Sequence, residues 1–156
     1  MDNNIETFMK EAIKEAIKAY KKDEVPVGCV IVLNNQIIAR AFNRREELQD
    51  ATAHAEILCI KKACKKLGSF RLVDCEMYVT LEPCPMCAGA VINSRISKVY
   101  FGAYDNKGGC CETLYNLPGD KRFNHNATTQ GGIMEKECGN LLKKFFSAKR
   151  KLLKDL

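Results

Sequence analysis

Residues 81–90 read Leu-Glu-Pro-Cys-Pro-Met-Cys-Ala-Gly-Ala and join a predicted strand to a predicted helix. The strand covers residues 76–81, which have an extended pattern. Pro85 favours a helix start, because proline donates no backbone hydrogen bond and its φ angle suits the first helical turn. Cys84 and Cys87 lie three positions apart, so their thiolates share one face of that turn and can bind one metal ion.

A second short motif, His54-Ala55-Glu56, lies at the predicted start of another helix. Together with Cys84 and Cys87, His54 makes a ligand set that suits zinc and leaves a fourth coordination position for water, which is typical of a catalytic site. Helix N-termini stabilise thiolates and lower the pKa of bound water. Glu56 can reach that water from the mouth of the helix without binding the metal, so we predict that it carries protons.

Other interpretations of these two motifs stay open. A His-x-Glu motif alone is mostly an acidic first helical turn, and a Cys-x-x-Cys motif alone can be a redox pair. A structural zinc site would form if Cys110 or Cys111 supplied a fourth ligand. The presence of both motifs at predicted helix starts favours the catalytic site, because a chain of 156 residues can build its core without a metal.

Predicted strands and helices alternate along most of the chain. Apolar residues recur at helical spacing from Ile5 to Tyr20, and extended patterns at 25–33 and 36–42 predict a hairpin. A second helix is predicted from near Ala53 to a stop at Gly68, and a further strand covers 98–102. The order α, β, β, α, β, α, β predicts an α/β fold, with a mixed sheet covered by helices.

The last third of the chain is irregular until a final basic helix. Residues 103–132 are rich in Gly, Asn and Asp, and so long a loop is usually functional. An apolar helical stripe then predicts a helix at about 133–154. Residues 139–156 hold six Lys or Arg against one Asp, which is +5 of the net charge of +6. This concentration predicts a polyanionic partner.

Length and composition restrict the class of protein. The 156 residues, of which 46% are hydrophobic, fit one domain over 1–156. The longest apolar runs, such as 25–33, fall far short of the roughly 20 residues that a spanning helix needs, so we expect no membrane association. The N-terminus lacks signal-peptide features and the nine cysteines are an odd number, so we expect a cytoplasmic protein with metal-binding rather than disulfide-bonded cysteines.

Six segments form a specific set: Glu24-Val-Pro-Val-Gly28, Asn43-Arg-Arg-Glu46, Thr52-Ala-His-Ala-Glu56, residues 81–90, Asn93-Ser-Arg-Ile96 and Phe101-Gly-Ala-Tyr-Asp105. With them, the chain resembles the bacterial tRNA-specific adenosine deaminases, the TadA family of the cytidine deaminase-like fold. The resemblance implies a three-layer α/β/α sandwich with a mixed central sheet of about five strands. It also implies a homodimer.

The same resemblance implies an activity: zinc-dependent hydrolytic deamination of the wobble adenosine of a tRNA anticodon to inosine. His54, Cys84 and Cys87 would bind Zn²⁺. Glu56 would carry a proton from water to N1 of adenine and then to the departing ammonia.

The resemblance further implies a substrate pocket. Asn43 would bind the purine, and the amide of Ala55 would meet the edge of the base. Val27 and Pro83 would form the pocket walls, and Asp105 would contact a neighbouring ribose. Taken from the residues alone, Asn43 is a turn residue and Asp105 an exposed loop acid.

The C-terminal region departs from the family pattern. Asn124–Gly132 replaces a Val-bearing strand, which weakens the case for a regular fifth strand, and Ser147 stands where a basic residue often follows the Phe pair. The run Lys149-Arg150-Lys151 has two interpretations. Its cations either complement the dipole of a helix end or contact phosphates of the anticodon stem-loop.

Two other functions compete with tRNA deamination. One is an enzyme of the same fold that acts on a free base or nucleoside, such as guanine, cytosine or deoxycytidylate. The other is a non-catalytic zinc module that binds RNA, in which Glu56 would be dispensable.

Overall fold

The computed structural model describes residues 2–155. Its elements in chain order are α1 (Asp2–Lys21), β1 (Gly28–Leu33), β2 (Gln36–Phe42), α2 (Arg45–Leu48), α3 (Ala55–Leu67), β3 (Glu76–Leu81), α4 (Pro85–Ser94), β4 (Lys98–Ala103), β5 (Thr128–Gln130) and α5 (Glu135–Lys154). The strands form one five-stranded sheet in the order β2-β1-β3-β4-β5. Within this range, no helix has both the length and the apolar character needed to span a bilayer.

The directions of the strands bring several chain segments to one edge of the sheet. β1 pairs antiparallel with both β2 and β3, whereas β3, β4 and β5 are parallel. Strands β2, β3 and β4 therefore end at the same edge, and β1 begins there. Residues that follow β2, β3 and β4 or precede β1 meet at this edge.

The two faces of the sheet carry separate hydrophobic clusters, because successive side chains of a strand point to opposite faces. Cys29 and Ile31 of β1 belong to the cluster that includes residues of α3 and α4. Val30 and Val32 belong to the cluster that includes residues of α1 and α5. The prediction of a three-layer α/β/α sandwich with a mixed sheet is thus confirmed.

Most predicted elements form where the pattern places them. The strand at Glu76–Leu81 is as predicted, and α3 ends at Gly68, whose φ of 65° is the left-handed conformation that suits glycine. The final helix begins at Glu135, two residues after its predicted start. The unusual segment near the C-terminus still supplies a short fifth strand, Thr128–Gln130.

Helix α2 is not predicted from the sequence, since it has only four residues and buries none of them. Its first turn is held from outside the helix. The carboxylate of Glu24 accepts hydrogen bonds from the amides of Glu46 (3.0 Å) and Glu47 (2.7 Å). Glu24 is 1% exposed, so this contact fixes the chain between β2 and α3.

The contact between α1 and β1 depends on Gly28. A Cβ atom at Gly28 would collide with backbone atoms of Ala12 and Ala16, which cannot move without displacing α1. Gly28→Ala should therefore lower the free energy of unfolding by about 1–3 kcal/mol, measured by denaturant titration. Gly139→Ala in α5 is the control, because nothing lies within 4 Å of its Cβ and alanine favours helix. Equal stability of Gly28→Ala and wild type would contradict this close packing.

Candidate active site

The chain places both metal-binding motifs at helix starts on the same edge of the sheet. His54 is the N-cap residue of α3, and Cys84 is the N-cap residue of α4. Pro85 occupies the first helical turn of α4, as expected from its fixed φ angle. Cys84 follows β3, and His54 follows β2 after the short helix α2, so strand direction brings the two motifs together.

The donor atoms of His54, Cys84 and Cys87 have the spacing of ligands to one zinc ion. His54 Nδ1 lies 3.6 Å from the Sγ atoms of both cysteines, and all three donor atoms lie within 4.8 Å of one another. Tetrahedral zinc with ordinary Zn–N and Zn–S bonds requires an N···S separation of about 3.5 Å. Within residues 2–155 no fourth His, Cys, Asp or Glu joins the group, so neither Cys110 nor Cys111 completes a closed site.

The contact between the two cysteines shifts their pKa values in opposite directions. The pKa of Cys84 falls to about 4, because its sulfur accepts a hydrogen bond from the Cys87 thiol and lies beside His54. The pKa of Cys87 is raised well above its ordinary value by the same contact and by burial. The pKa of His54 is raised, chiefly by its hydrogen bond to Cys84. A sulfur with a lowered pKa is a ready ligand for a soft cation.

Glu56 lies in the first turn of α3 and faces the same cavity as His54. It is 4% exposed, and burial raises its pKa to about 7. A carboxyl group with such a pKa can both accept and donate a proton near neutral pH. In the middle of a helix, two residues that are two positions apart point to roughly opposite faces. Because His54 precedes the first helical residue of α3, Glu56 can still reach the metal-binding group.

A cavity of about 600 Å³ opens beside these groups, a volume within the range of ligand sites. Four of the five expected substrate residues line it: Val27, Asn43, Ala55 and Asp105. Pro83 is not among the lining residues described. Its carbonyl instead accepts a hydrogen bond from the amide of Cys110 at 2.9 Å.

Asn43 holds the turn after β2 and also faces the cavity. Its side-chain nitrogen donates to the carbonyl of Val25 (3.1 Å), and its side-chain oxygen accepts from the amide of Arg45 (3.3 Å). These bonds use one of its two N–H groups and one oxygen lone pair, so one donor and one acceptor remain for a ligand.

Several lining residues are absent from the sequence prediction. Tyr104, Asn106 and Lys107 follow β4 and flank Asp105. Leu142 and Phe146 come from α5 and line the cavity from the other side, although their spacing predicts core packing. The sequence could have indicated Tyr104, Asn106 and Lys107, because they directly follow a strand that ends at this edge.

The predicted RNA-binding run lies outside this cavity. Lys149 forms an ion pair with Asp23 at 2.5 Å, whereas Arg150 and Lys151 are exposed. Lys149 also lines a second groove, of about 810 Å³, which shares Asn43 and Phe146 with the first cavity. The structure therefore brings the basic helix next to the site.

Comparison with known proteins identifies the family. Residues 2–103 match the cytidine and deoxycytidylate deaminase zinc-binding region. A tRNA-specific adenosine deaminase of Bacillus subtilis is 59% identical over 146 residues, which cover 94% of this chain and 91% of that protein. The chain belongs to the tRNA-specific adenosine deaminase family. A solved structure from work on A-to-I editing by tRNA:A34 deaminases has a TM-score of 0.84 and 45% identity, over 87% of this chain and 99% of that one.

Membership of the tRNA-specific adenosine deaminase family also decides the cofactor. The matched zinc-binding region contains all three donors of the His54, Cys84 and Cys87 group. Zn²⁺ is the cofactor, as the sequence predicts. The likeness extends to other deaminases, since a guanine deaminase of Bacillus subtilis has a TM-score of 0.61 and 42% identity, over 64% of each chain.

The three-donor arrangement predicts the metal content. Zinc-loaded protein should contain about one zinc per chain, and Cys87→Ser should lose it, because a hydroxyl is a poor zinc ligand. Cys64→Ser, at a half-buried thiol outside the group, is the control and should keep zinc. Elemental analysis after dialysis measures both. Detection of a third sulfur ligand by X-ray absorption would contradict an open coordination position.

Proposed function

We propose that this protein is a zinc-dependent hydrolase that converts the wobble adenosine of a tRNA anticodon to inosine. The observation that supports it most is the buried Glu56 beside the His54, Cys84 and Cys87 group, in a cavity large enough for a nucleobase. The match to tRNA-specific adenosine deaminases over most of the chain supports the choice of substrate.

His54, Cys84 and Cys87 hold the metal, and Glu56 moves the protons. When bound, zinc supplies a polarised water molecule that is nucleophilic near neutral pH. As water attacks C6 of adenine, Glu56 accepts one of its protons and transfers it to N1. Glu56 then accepts the remaining proton of the hydroxyl group added at C6 and delivers it to the departing amino group, so that adenosine and water become inosine and ammonia.

The cavity residues orient the base. Asn43 offers its remaining donor and acceptor to the purine. Ala55 is the first residue of α3, so its amide has no partner within the helix and is available to the base edge. Val27 is 8% exposed and forms an apolar wall. Asp105 directs Oδ1 to the amides of Lys107 and Gly108, which leaves its other oxygen for a ribose hydroxyl.

The anticodon stem-loop, a homodimer and a cytoplasmic location complete the proposal. The basic end of α5, which adjoins the second groove, supports contact with the stem-loop. The homodimer is supported by family resemblance alone. All nine cysteines lie in the described part of the chain and none of them forms a disulfide there, which fits the reducing cytoplasm.

A guanine deaminase is the competing enzyme, because one shares this fold at 42% identity. The decisive experiment incubates zinc-loaded protein with bulk tRNA, free adenosine and free guanine, and maps inosine along the tRNA. We expect inosine at wobble positions and little turnover of either small molecule. Guanine turnover without inosine in tRNA would overturn the proposal.

Glu56 gives a sharp test of the mechanism. Glu56→Gln removes the proton carrier but keeps its shape, so turnover should fall by roughly 10² to 10⁴ while zinc content and tRNA binding persist. Glu6→Gln, at an exposed position in α1, is the control and should behave as wild type. Full activity of Glu56→Gln would contradict the role of Glu56 as the proton carrier.

The basic run of α5 gives a test of RNA binding. Changing Lys149, Arg150 and Lys151 to Gln keeps helix propensity and should weaken tRNA binding. The slope of log K against log salt should become shallower by about 0.7 for each lost contact to single-stranded RNA. We expect most of the loss from Arg150 and Lys151, because Lys149 already pairs with Asp23.

The matched control removes the same charge elsewhere, by changing exposed Lys61, Lys65 and Lys66 of α3 to Gln. The control should change the salt slope less, and zinc content should stay constant in both variants. If the α5 variant kept the wild-type affinity and slope, the run would be only a solvated helix end.

A further inference from the structure

Glu82 is a buried carboxylate that the proposed chemistry does not use. It directly follows β3, lies two residues before the zinc ligand Cys84, and is 2% exposed. A buried carboxylate costs free energy unless hydrogen bonds satisfy it. Within residues 2–155, the hydrogen-bond donors to its side chain come from one segment, residues 105–113, which we call the 105–113 loop.

Both oxygens of Glu82 bind this loop. Oε1 accepts the amide of Asp105 at 3.1 Å and the hydroxyl of Thr113 at 2.5 Å. Oε2 accepts the amides of Cys111 (3.2 Å), Glu112 (2.8 Å) and Thr113 (2.8 Å). One side chain thus fixes both ends of the 105–113 loop.

The loop is also shaped to fit the carboxylate closely. A Cβ atom at Gly109 would collide with Glu82 Oε1, so only glycine allows the loop to approach this near. Within the loop, Asp105 Oδ1 accepts the amides of Lys107 (3.1 Å) and Gly108 (3.2 Å). Glu82 therefore fixes the backbone at Asp105, and Asp105 in turn fixes the backbone at Lys107 and Gly108.

Residues 105–107 are the part of the loop that lines the cavity. Asn106 and Lys107 are exposed, whereas Glu56 and Ala55 lie at the buried end. A base bound beside Glu56 leaves the rest of its RNA chain outside the cavity. The side chains that face this RNA are those at the mouth, including Asn106 and Lys107.

We propose that Glu82 is a positioning residue for the RNA substrate: it holds residues 105–107 as the wall that binds nucleotides next to the reacting adenosine. This inference rests on the proposed function. Glu82 also lines the cavity, but both of its oxygens accept hydrogen bonds from the loop. Because Glu82 acts through the loop, its loss raises KM for RNA and leaves kcat nearly unchanged.

The test uses zinc-loaded protein and a synthetic anticodon stem-loop RNA with adenosine at the wobble position. Glu82→Gln replaces one of the two acceptor oxygens with an NH₂ group. Since this group is itself a donor, it repels the loop N–H or O–H groups that the oxygen bound. Thr113→Val is the milder variant, because it removes one hydroxyl donor from an exposed residue and keeps its shape. Thr113→Ser retains the hydroxyl and serves as the rescue. Thr128→Val, on the exposed face of β5, is the matched control.

We expect KM for the stem-loop to rise about tenfold in Thr113→Val and further in Glu82→Gln, since a hydrogen bond to a charged group is lost. The kcat should stay within about twofold and zinc content should not change. Hydrogen exchange should accelerate at the amides of residues 105, 111, 112 and 113. Thr113→Ser and Thr128→Val should match wild type in all of these measurements.

A double-mutant cycle distinguishes positioning from a general loss of stability. If Glu82 acts through the loop wall, Thr113→Val should add little to the KM of Lys107→Ala, because the contact that it positions is already gone. Full additivity of the two changes would contradict the inference, as would unchanged loop exchange or a fall in kcat with constant KM. Wild-type protein inactive on every tRNA would overturn the proposed function itself.

Discussion

The antiparallel pairing of β1 with both of its neighbours makes β2, β3 and β4 run in the same direction. The metal-binding group and the cavity residues that follow these strands depend on this constraint. The residues after β2 include Asn43 and lead to His54, those after β3 supply Cys84, and those after β4 supply Asp105. Groups from distant parts of the sequence therefore meet at one edge of the sheet.

The same edge carries the N-termini of α3 and α4, which favour negative charge. The thiolate form of Cys84, whose pKa is lowered, is therefore compatible with the surroundings, although this residue is half-buried. Glu56 has the opposite character, because burial raises its pKa to about 7 and keeps it able to carry a proton. One edge thus provides both a charged metal-binding group and a carboxyl that changes protonation state.

Local patterns predict the elements that depend on local physics. The strand at Glu76–Leu81, the helix stop at Gly68 and the helix start at Pro85 all follow from neighbouring residues. Helix α2 does not, because Glu24, which holds its first turn, lies 22 residues before its partner Glu46. The cavity wall from Leu142 and Phe146 is equally non-local, since their helical spacing predicts core packing and only the tertiary fold exposes them to the site.

The central claim is that Glu56 and the three-donor zinc group hydrolyse an adenosine within tRNA. Its most direct test is reaction of zinc-loaded protein with tRNA in ¹⁸O-labelled water, followed by mass spectrometry of the nucleosides at each anticodon position. The account predicts inosine only at the wobble position, with the label in its 6-oxo group, and almost none with Glu56→Gln. Unlabelled inosine, or equal product from wild type and Glu56→Gln, would contradict it.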